Sequence, residues 1–176
     1  MLFVPPPDSS WVEVLPDGHQ GTIRTLEAMR YLCRKDYLSC VIQHCVWGTI
    51  TEGRQRGWSD VDALFFFARD RIRYVEDPPG VEKVADFERT TQSLSGDCDD
   101  KAVWLATALL AINTPVRFVI QSYGRTWDHV YLEFYDWGRL GWVALDPTAD
   151  GHTGFTGEPG WRQPLAPGGY EMRFDV

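Results

Sequence analysis

Apolar residues recur at helical spacing in four stretches of the chain and at alternate positions in three later ones. Ile23, Leu26, Met29, Tyr31 and Leu32, followed by Tyr37, Leu38, Val41, Ile42, Cys45 and Val46, keep a helical rhythm over residues 21–52, with a break near Asp36. Gly53 and Gly57 mark a loop. Ser59 then opens a third helix, with Asp62 three residues on in a capping-box-like arrangement. Val61, Leu64, Phe65, Ala68 and Ile72 form its apolar face, and it is expected to end near Tyr74, before the breaker Asp77-Pro78-Pro79-Gly80. Residues 81–96 read as a short helix or turn followed by a polar loop, Arg89–Ser93. The fourth helix is expected to start at Asp97 or Cys98. Ala102, Leu105, Ala106, Leu109 and Leu110 give it a nearly continuous apolar surface, so it should be the most buried. Asn113, which tolerates the left-handed conformation, and Pro115 close it.

Three strand-like runs follow: Val116–Tyr123, His129–Tyr135 and Gly141–Leu145. Val130, Leu132 and Phe134 alternate with His129, Tyr131 and Glu133, as a half-buried strand requires. Asp136–Leu140 is a turn region, so the last two runs form an antiparallel hairpin. The two ends differ in texture. Residues 1–20 hold Pro5-Pro6-Pro7, Pro16 and Gly18 and read as an extended arm carrying Phe3, Val4, Trp11, Val12 and Val14. Residues 151–176 read as a Gly/Pro-rich extended tail anchored by Phe155, Trp161, Tyr170 and Phe174. Between them, residues 21–150 make a single domain, with no internal repeat.

Composition narrows the function classes. The chain has 176 residues, of which 44% are hydrophobic and 14% aromatic, enough to build one sizeable core. Its formal net charge of −8 argues against a nucleic-acid partner, which selects a basic face, and against anionic membranes. No stretch approaches the ~20 apolar residues of a membrane span. Met1-Leu2-Phe3-Val4 lacks a basic start, and the proline run cuts it short, so no signal peptide is expected. Cys33, Cys40 and Cys45 share one helical stretch while Cys98 stands alone. That is no spaced disulfide framework, and it suggests a reducing compartment.

The candidate chemistry centres on Ser95-Gly96-Asp97-Cys98-Asp99-Asp100. A thiolate is the reactive form of cysteine, and a helix start favours it through unpaired amides and the macrodipole. Asp97, Asp99 and Asp100 oppose this if they turn inward, so the helix start alone does not make Cys98 a nucleophile. A nearby imidazolium would. His129 lies one hairpin strand before Asp146. A turn centred between Trp137 and Gly138 puts His129 opposite Asp146, with Cβ atoms roughly 5 Å apart. A turn centred on Gly138 instead pairs Asp146 with Val130 and turns His129 to the other face. Taken singly, a Cys on an apolar helix is core, a His on a strand is structural, and an Asp before Pro is a turn residue. It is their order along helix start, strand and next strand that points to nucleophile, base and orienter. Two metal readings are weaker. Cys40 and His44, beside Cys45, lack the paired spacing of structural zinc. The aspartates suit hard cations but run in sequence rather than in a spaced loop. The preferred reading has no metal and no cofactor.

Gly96-Asp97-Cys98-Asp99-Asp100, Thr114-Pro115-Val116-Arg117-Phe118, His129-Val130-Tyr131-Leu132-Glu133 and Trp142-Val143-Ala144-Leu145-Asp146-Pro147-Thr148 together resemble the transglutaminase-like superfamily, which shares the papain-like core. The resemblance covers about residues 60–150. It implies an α+β fold in which the Cys-bearing helix packs on an antiparallel sheet. It also implies Cys98 as nucleophile, His129 as general base and acid, and Asp146 as orienter. Gln92, six residues before Cys98, is placed like the oxyanion glutamine of papain-like proteases. The expected activity is acyl transfer through a Cys98 thioester on a peptide or protein amide, by hydrolysis or transamidation. More weakly, the flanking regions resemble small forms found in bacteriophage structural-gene clusters. The alternative is therefore a virion structural or assembly protein whose arms contact other subunits. Expected localisation is the cytoplasm of the producing cell, or a phage virion on the alternative.

Overall fold

The computed structural model describes residues 18–79, 81–122, 127–148 and 170–176. Most of both arms, on which the assembly reading rests, falls outside these residues. Helix α1 spans His19–Asp36 and α2 spans Cys40–Gln55, so the helical pattern breaks where expected, at Asp36. The Ser39 hydroxyl restarts the helix by accepting from the Ile42 amide. Leu26, Met29, Leu32, Ile42, Val46 and Ile50 turn into a common core. Cys33 joins them, its thiol donating to the Val103 carbonyl (3.7 Å), and burial pushes that thiol up to about 12.

Helix α3 (Asp60–Asp70) is capped as its sequence predicts. The Ser59 hydroxyl accepts from the Asp62 amide and donates to the Asp62 carboxylate. It stops one turn earlier than expected. Ile72 stays in the core, but Arg73–Tyr74 leave the helix as strand β1. β1 runs parallel to β2 (Ser95–Gly96), pairing Tyr74 with Gly96. This long-range pairing has no local signal, and it overrides the apolar periodicity that carried the helix to Tyr74. The expected order within residues 81–96 is reversed. Residues 81–86 form the loop, and the Arg89–Ser93 run lies in helix α4 (Phe87–Ser93). Asp86 caps α4 by accepting from the Arg89 amide, while Phe87 and Thr90 are buried beneath it. Capping and two inward side chains outweigh the poor helix propensity of the Thr-Thr pair.

Helix α5 (Cys98–Ala111) is the most buried, as expected, with Trp104 wholly enclosed. The indole lies between the Phe67 and Phe87 rings, with centroids 4.8 and 5.0 Å away and near-parallel planes. Its Nε1–H donates to the Thr91 hydroxyl at 2.8 Å. One side chain thus clamps α3 and α4 to α5. Asn113, in the left-handed conformation, ends the helix region.

Strands β3 (Val116–Ser122), β4 (Trp127–Asp136) and β5 (Gly141–Leu145) match the expected runs. A fourth strand, β6 (Tyr170–Asp175), pairs antiparallel with β3 and gives the order β5-β4-β3-β6. The sequence reading sets this stretch apart as a tail, yet its last residues complete the sheet. Phe174 packs on the core as an anchor should, and the Val176 carbonyl accepts from Arg34. Val116, Phe118, Ile120, Val130, Leu132, Phe134 and Leu145 join the core cluster that also contains the buried face of α5. This is the expected α+β arrangement. Among the described residues, no helix is long and apolar enough to cross a membrane.

Candidate active site

Cys98 is held from both sides of the helix start. The β1–β2 pair fixes the incoming chain, with the Val75 amide donating to the Gly96 carbonyl at 3.0 Å. Gly96 is required by space rather than by conformation. A Cβ there would lie 2.4 Å from Asp100 Cβ and 2.6 Å from Asp100 Oδ2. Asp100, tucked against that bare backbone, accepts from the Ala85 amide (2.6 Å) and ties the 81–86 loop to α5. The Gly-Asp-Cys-Asp-Asp run is thus a packed turn that sets the thiol at the first position of α5, half-buried.

His129 and Asp146 meet through a register different from either one weighed above. β4 and β5 pair Asp136 with Gly141 and Leu132 with Leu145, so the turn is centred between Gly138 and Arg139. One step beyond this ladder Asp146 lies opposite Tyr131, which makes His129 its diagonal neighbour on the same side. Asp136 sets the register. Its Oδ1 accepts from the Gly138 (2.8 Å) and Arg139 (3.2 Å) amides, and Leu140 closes the loop at φ 53°. His129 Nε2 lies 2.7 Å from Asp146 Oδ2. Asp146 is fully buried. Its other oxygen accepts from the Thr148 amide (2.9 Å) and hydroxyl (2.6 Å), so the carboxylate is fixed in one orientation. The sequence reading gave Thr148 no role, although Asp-Pro-Thr carries the signal of a side chain capping its own turn.

Cys98 is the other group that acts on this imidazole, near enough for its thiol to influence the ring's protonation. Burial alone would lower the ring's pKa. The Asp146 hydrogen bond, then the nearby Cys98 thiol and the charges of both partners, outweigh burial and raise it to about 10. The ring is therefore an imidazolium at neutral pH. Cys98, His129 and Asp146 thus converge as nucleophile, base and orienter would. Gln92 does not join them in the same way. It is exposed in the last turn of α4, and among the described residues no hydrogen bond links it to the Cys98 turn.

Two neighbours escaped the sequence reading. Tyr74 is placed beside the site by its pairing with Gly96. Burial, followed by the negative charges of Cys98 and Asp97, pushes its phenol up to about 12, so the hydroxyl remains a donor. Lys101, one turn along α5, is buried, and its ammonium donates to the carbonyls of Ile72 (2.9 Å) and Arg69 (3.3 Å). Burial lowers its pKa to about 8 against the pull of Asp146. Nothing local marks a lysine inside an apolar helix as a clasp for the end of α3.

The profile of the transglutaminase-like superfamily matches residues 46–147, more than half of the chain, and the chain belongs to that superfamily. Among solved structures, it is similar to a candidate cysteine protease from Cytophaga hutchinsonii (TM-score 0.50, 15% identity, 69% of this chain and 42% of that one). It is also similar to a candidate protease from Parabacteroides distasonis (TM-score 0.54, 12% identity, 78% and 31%). These likenesses show the shared fold, and the chain spans less than half the length of either protein. No curated protein matches the sequence.

Proposed function

We propose that this chain is a cysteine acyl-transfer enzyme acting on amides. The observation that carries the reading is the single imidazole bonded to the Asp146 carboxylate at 2.7 Å and near enough to Cys98 for the two to influence each other's charge. Cys98 Sγ attacks the amide carbon. The tetrahedral oxyanion is met by the Cys98 backbone amide, one of the α5 amides left without a helical partner. His129 gives its proton to the departing amine, and a thioester remains. Asp146, locked by Thr148, keeps the ring in line through both steps. Water resolves the thioester to a carboxylate, or a second amine resolves it to a new amide. Gln92 and Tyr74 are the candidates for a second oxyanion donor, and the pairing of Tyr74 with Gly96 favours Tyr74.

Competitive alkylation tests the triad. Cys40 is exposed and Cys98 is half-buried, so accessibility alone makes Cys40 the faster thiol. With substoichiometric iodoacetamide at neutral pH and peptide mapping, Cys98 is expected to be modified first, and His129→Ala should restore the order set by exposure. Modification of Cys40 ahead of Cys98 in the wild type would overturn the reading. Release of ammonia or amine from protein amides, abolished by Cys98→Ala, then separates hydrolysis from transamidation by whether an added primary amine is incorporated.

A further inference from the structure

The strand beside the chain that enters Cys98 keeps one edge unpaired. Consecutive residues of a strand turn their backbone groups to opposite edges. The Arg73 amide donates to the Leu94 carbonyl (2.9 Å) and the Val75 amide to the Gly96 carbonyl (3.0 Å), so both face β2. Tyr74 lies between them, and its N–H and C=O point the other way. Among the described residues no hydrogen bond engages either group. The far edge of the pair is treated differently. There the Ser93 hydroxyl accepts from the Ser95 amide (3.3 Å) and donates to the Ser95 carbonyl (3.0 Å), so one side chain closes β2.

The side chains on the open edge are not those that keep stray strands away. Exposed edges are normally guarded by charge, proline or a covering element. β1 is short, but beside its free backbone groups it presents Tyr74 and Val75, which are 47% and 42% exposed and do not belong to the hydrophobic core. The edge is also continuous with the candidate active site. Tyr74 pairs with Gly96, two residues before Cys98. After burial, the charge on Cys98 is the influence that acts most strongly on the Tyr74 phenol. A strand added to this edge would run about 5 Å from β1, beside the turn that carries the thiol.

Resting on the acyl-transfer reading of Cys98, we infer that the β1 edge binds the substrate, and that the substrate is an extended polypeptide segment with a large apolar side chain placed against Tyr74 and Val75. One substrate residue exchanges two hydrogen bonds with Tyr74. Its N–H donates to the Tyr74 carbonyl and its carbonyl accepts from the Tyr74 N–H, as in the hydrogen-bonded pair of an antiparallel ladder. Its side chain then lies beside Tyr74, and that of the next residue beside Val75. Helices and paired strands spend their backbone groups internally, so this edge selects exposed loops and chain ends rather than folded elements. β1 offers both groups at a single residue, so the footprint is short and the selectivity modest.

The test uses the full chain and a pool of acetylated, amidated peptides of randomised sequence, with products read by mass spectrometry. Large apolar residues are expected to be enriched about tenfold at one position near the reacting amide. N-methylation of the best peptide, one backbone nitrogen at a time, should lower kcat/KM about tenfold at one position other than the reacting amide. Val75→Lys alters an exposed side chain and keeps the backbone donor to Gly96. In that variant iodoacetamide should still modify Cys98 first, while the apolar preference falls about tenfold. Equal tolerance of N-methylation at every position beyond the reacting amide would overturn the strand pairing. An apolar preference unchanged in Val75→Lys would overturn the placement of that side chain. Selective alkylation of Cys98 with no peptide turned over would sink the inference alone, whereas alkylation of Cys40 ahead of Cys98 would sink the acyl-transfer reading and this inference with it.

Discussion

Asp146→Asn isolates the contact on which the site depends. The change keeps the side-chain shape and an oxygen for Thr148, but removes the charge that faces His129 Nε2 at 2.7 Å. In the folded chain the imidazole is raised from 6.5 to about 10. That gap, roughly 3.5 pH units at about 1.4 kcal/mol each, favours the protonated ring by about 5 kcal/mol. The Cys98 thiol supplies part of it, so loss of the carboxylate should cost about 2–4 kcal/mol. The sign follows from the direction. A histidine raised on folding contributes stability that is complete below its unfolded value of 6.5 and is lost as pH climbs through about 10. Urea unfolding of wild type and Asp146→Asn should therefore differ most near pH 6 and converge towards pH 10. Ring-carbon NMR, assigned with His129→Gln, should show the His129 titration moving down by more than one pH unit in the variant. A wild-type His129 that titrates near 6.5 would refute the reasoning. So would a stability gap that is the same across the whole pH range.

Three further outcomes follow from the packing of the site. Gly96→Ala places a methyl 2.4 Å from Asp100 Cβ, so chemical denaturation should show a loss of about 1–3 kcal/mol, and a neutral result would refute the close approach. Trp104→Ala should cost about 3–5 kcal/mol by the same measurement, whereas Trp104→Phe, which keeps the stack on Phe67 and Phe87 but loses the bond to Thr91, should cost about 1–2. Thr148→Val removes the hydroxyl donor to Asp146 but keeps the backbone one. It should cost about 1 kcal/mol and slow Cys98 alkylation less than Asp146→Asn does.

The elements legible in the sequence are those whose signals are local. The Ser59 cap, the break at Asp36, the closure at Asn113 and the alternating strands all show in side chains that act on their own backbone. What the sequence hid depends on distant partners. Arg73–Tyr74 become strand only because Ser95–Gly96 lie alongside, and β6 exists only because β3 offers it an edge. The His129–Asp146 contact is an intermediate case. The strand order announced that the two residues share a hairpin, but register decides whether they touch, and Asp136 sets it through an Asx turn that hydrophobic periodicity does not reveal. Lys101 was missed because it acts on the end of another helix, and residue type alone does not name that partner, whereas Thr148 was legible in Asp146-Pro147-Thr148 as a side chain capping its own turn.

The run Gly96-Asp97-Cys98-Asp99-Asp100 combines several demands in five residues. Cys98 needs the start of a helix to expose its thiol beside His129. Asp100 needs Gly96 so that it can pack against the backbone and hold Ala85. These are steric and geometric demands, and neither requires Asp97 and Asp99 to be acidic. In a turn built only to present a thiolate, neutral capping residues would spare the sulfur two adjacent negative charges. An N-cap aspartate that leaves its helix uncapped, next to an aspartate buried without a donor, is costly to the fold. Gly96 and Asp100 are accounted for by the packing of the turn and Cys98 by its place at the helix start, whereas presentation of the thiol does not account for Asp97 and Asp99.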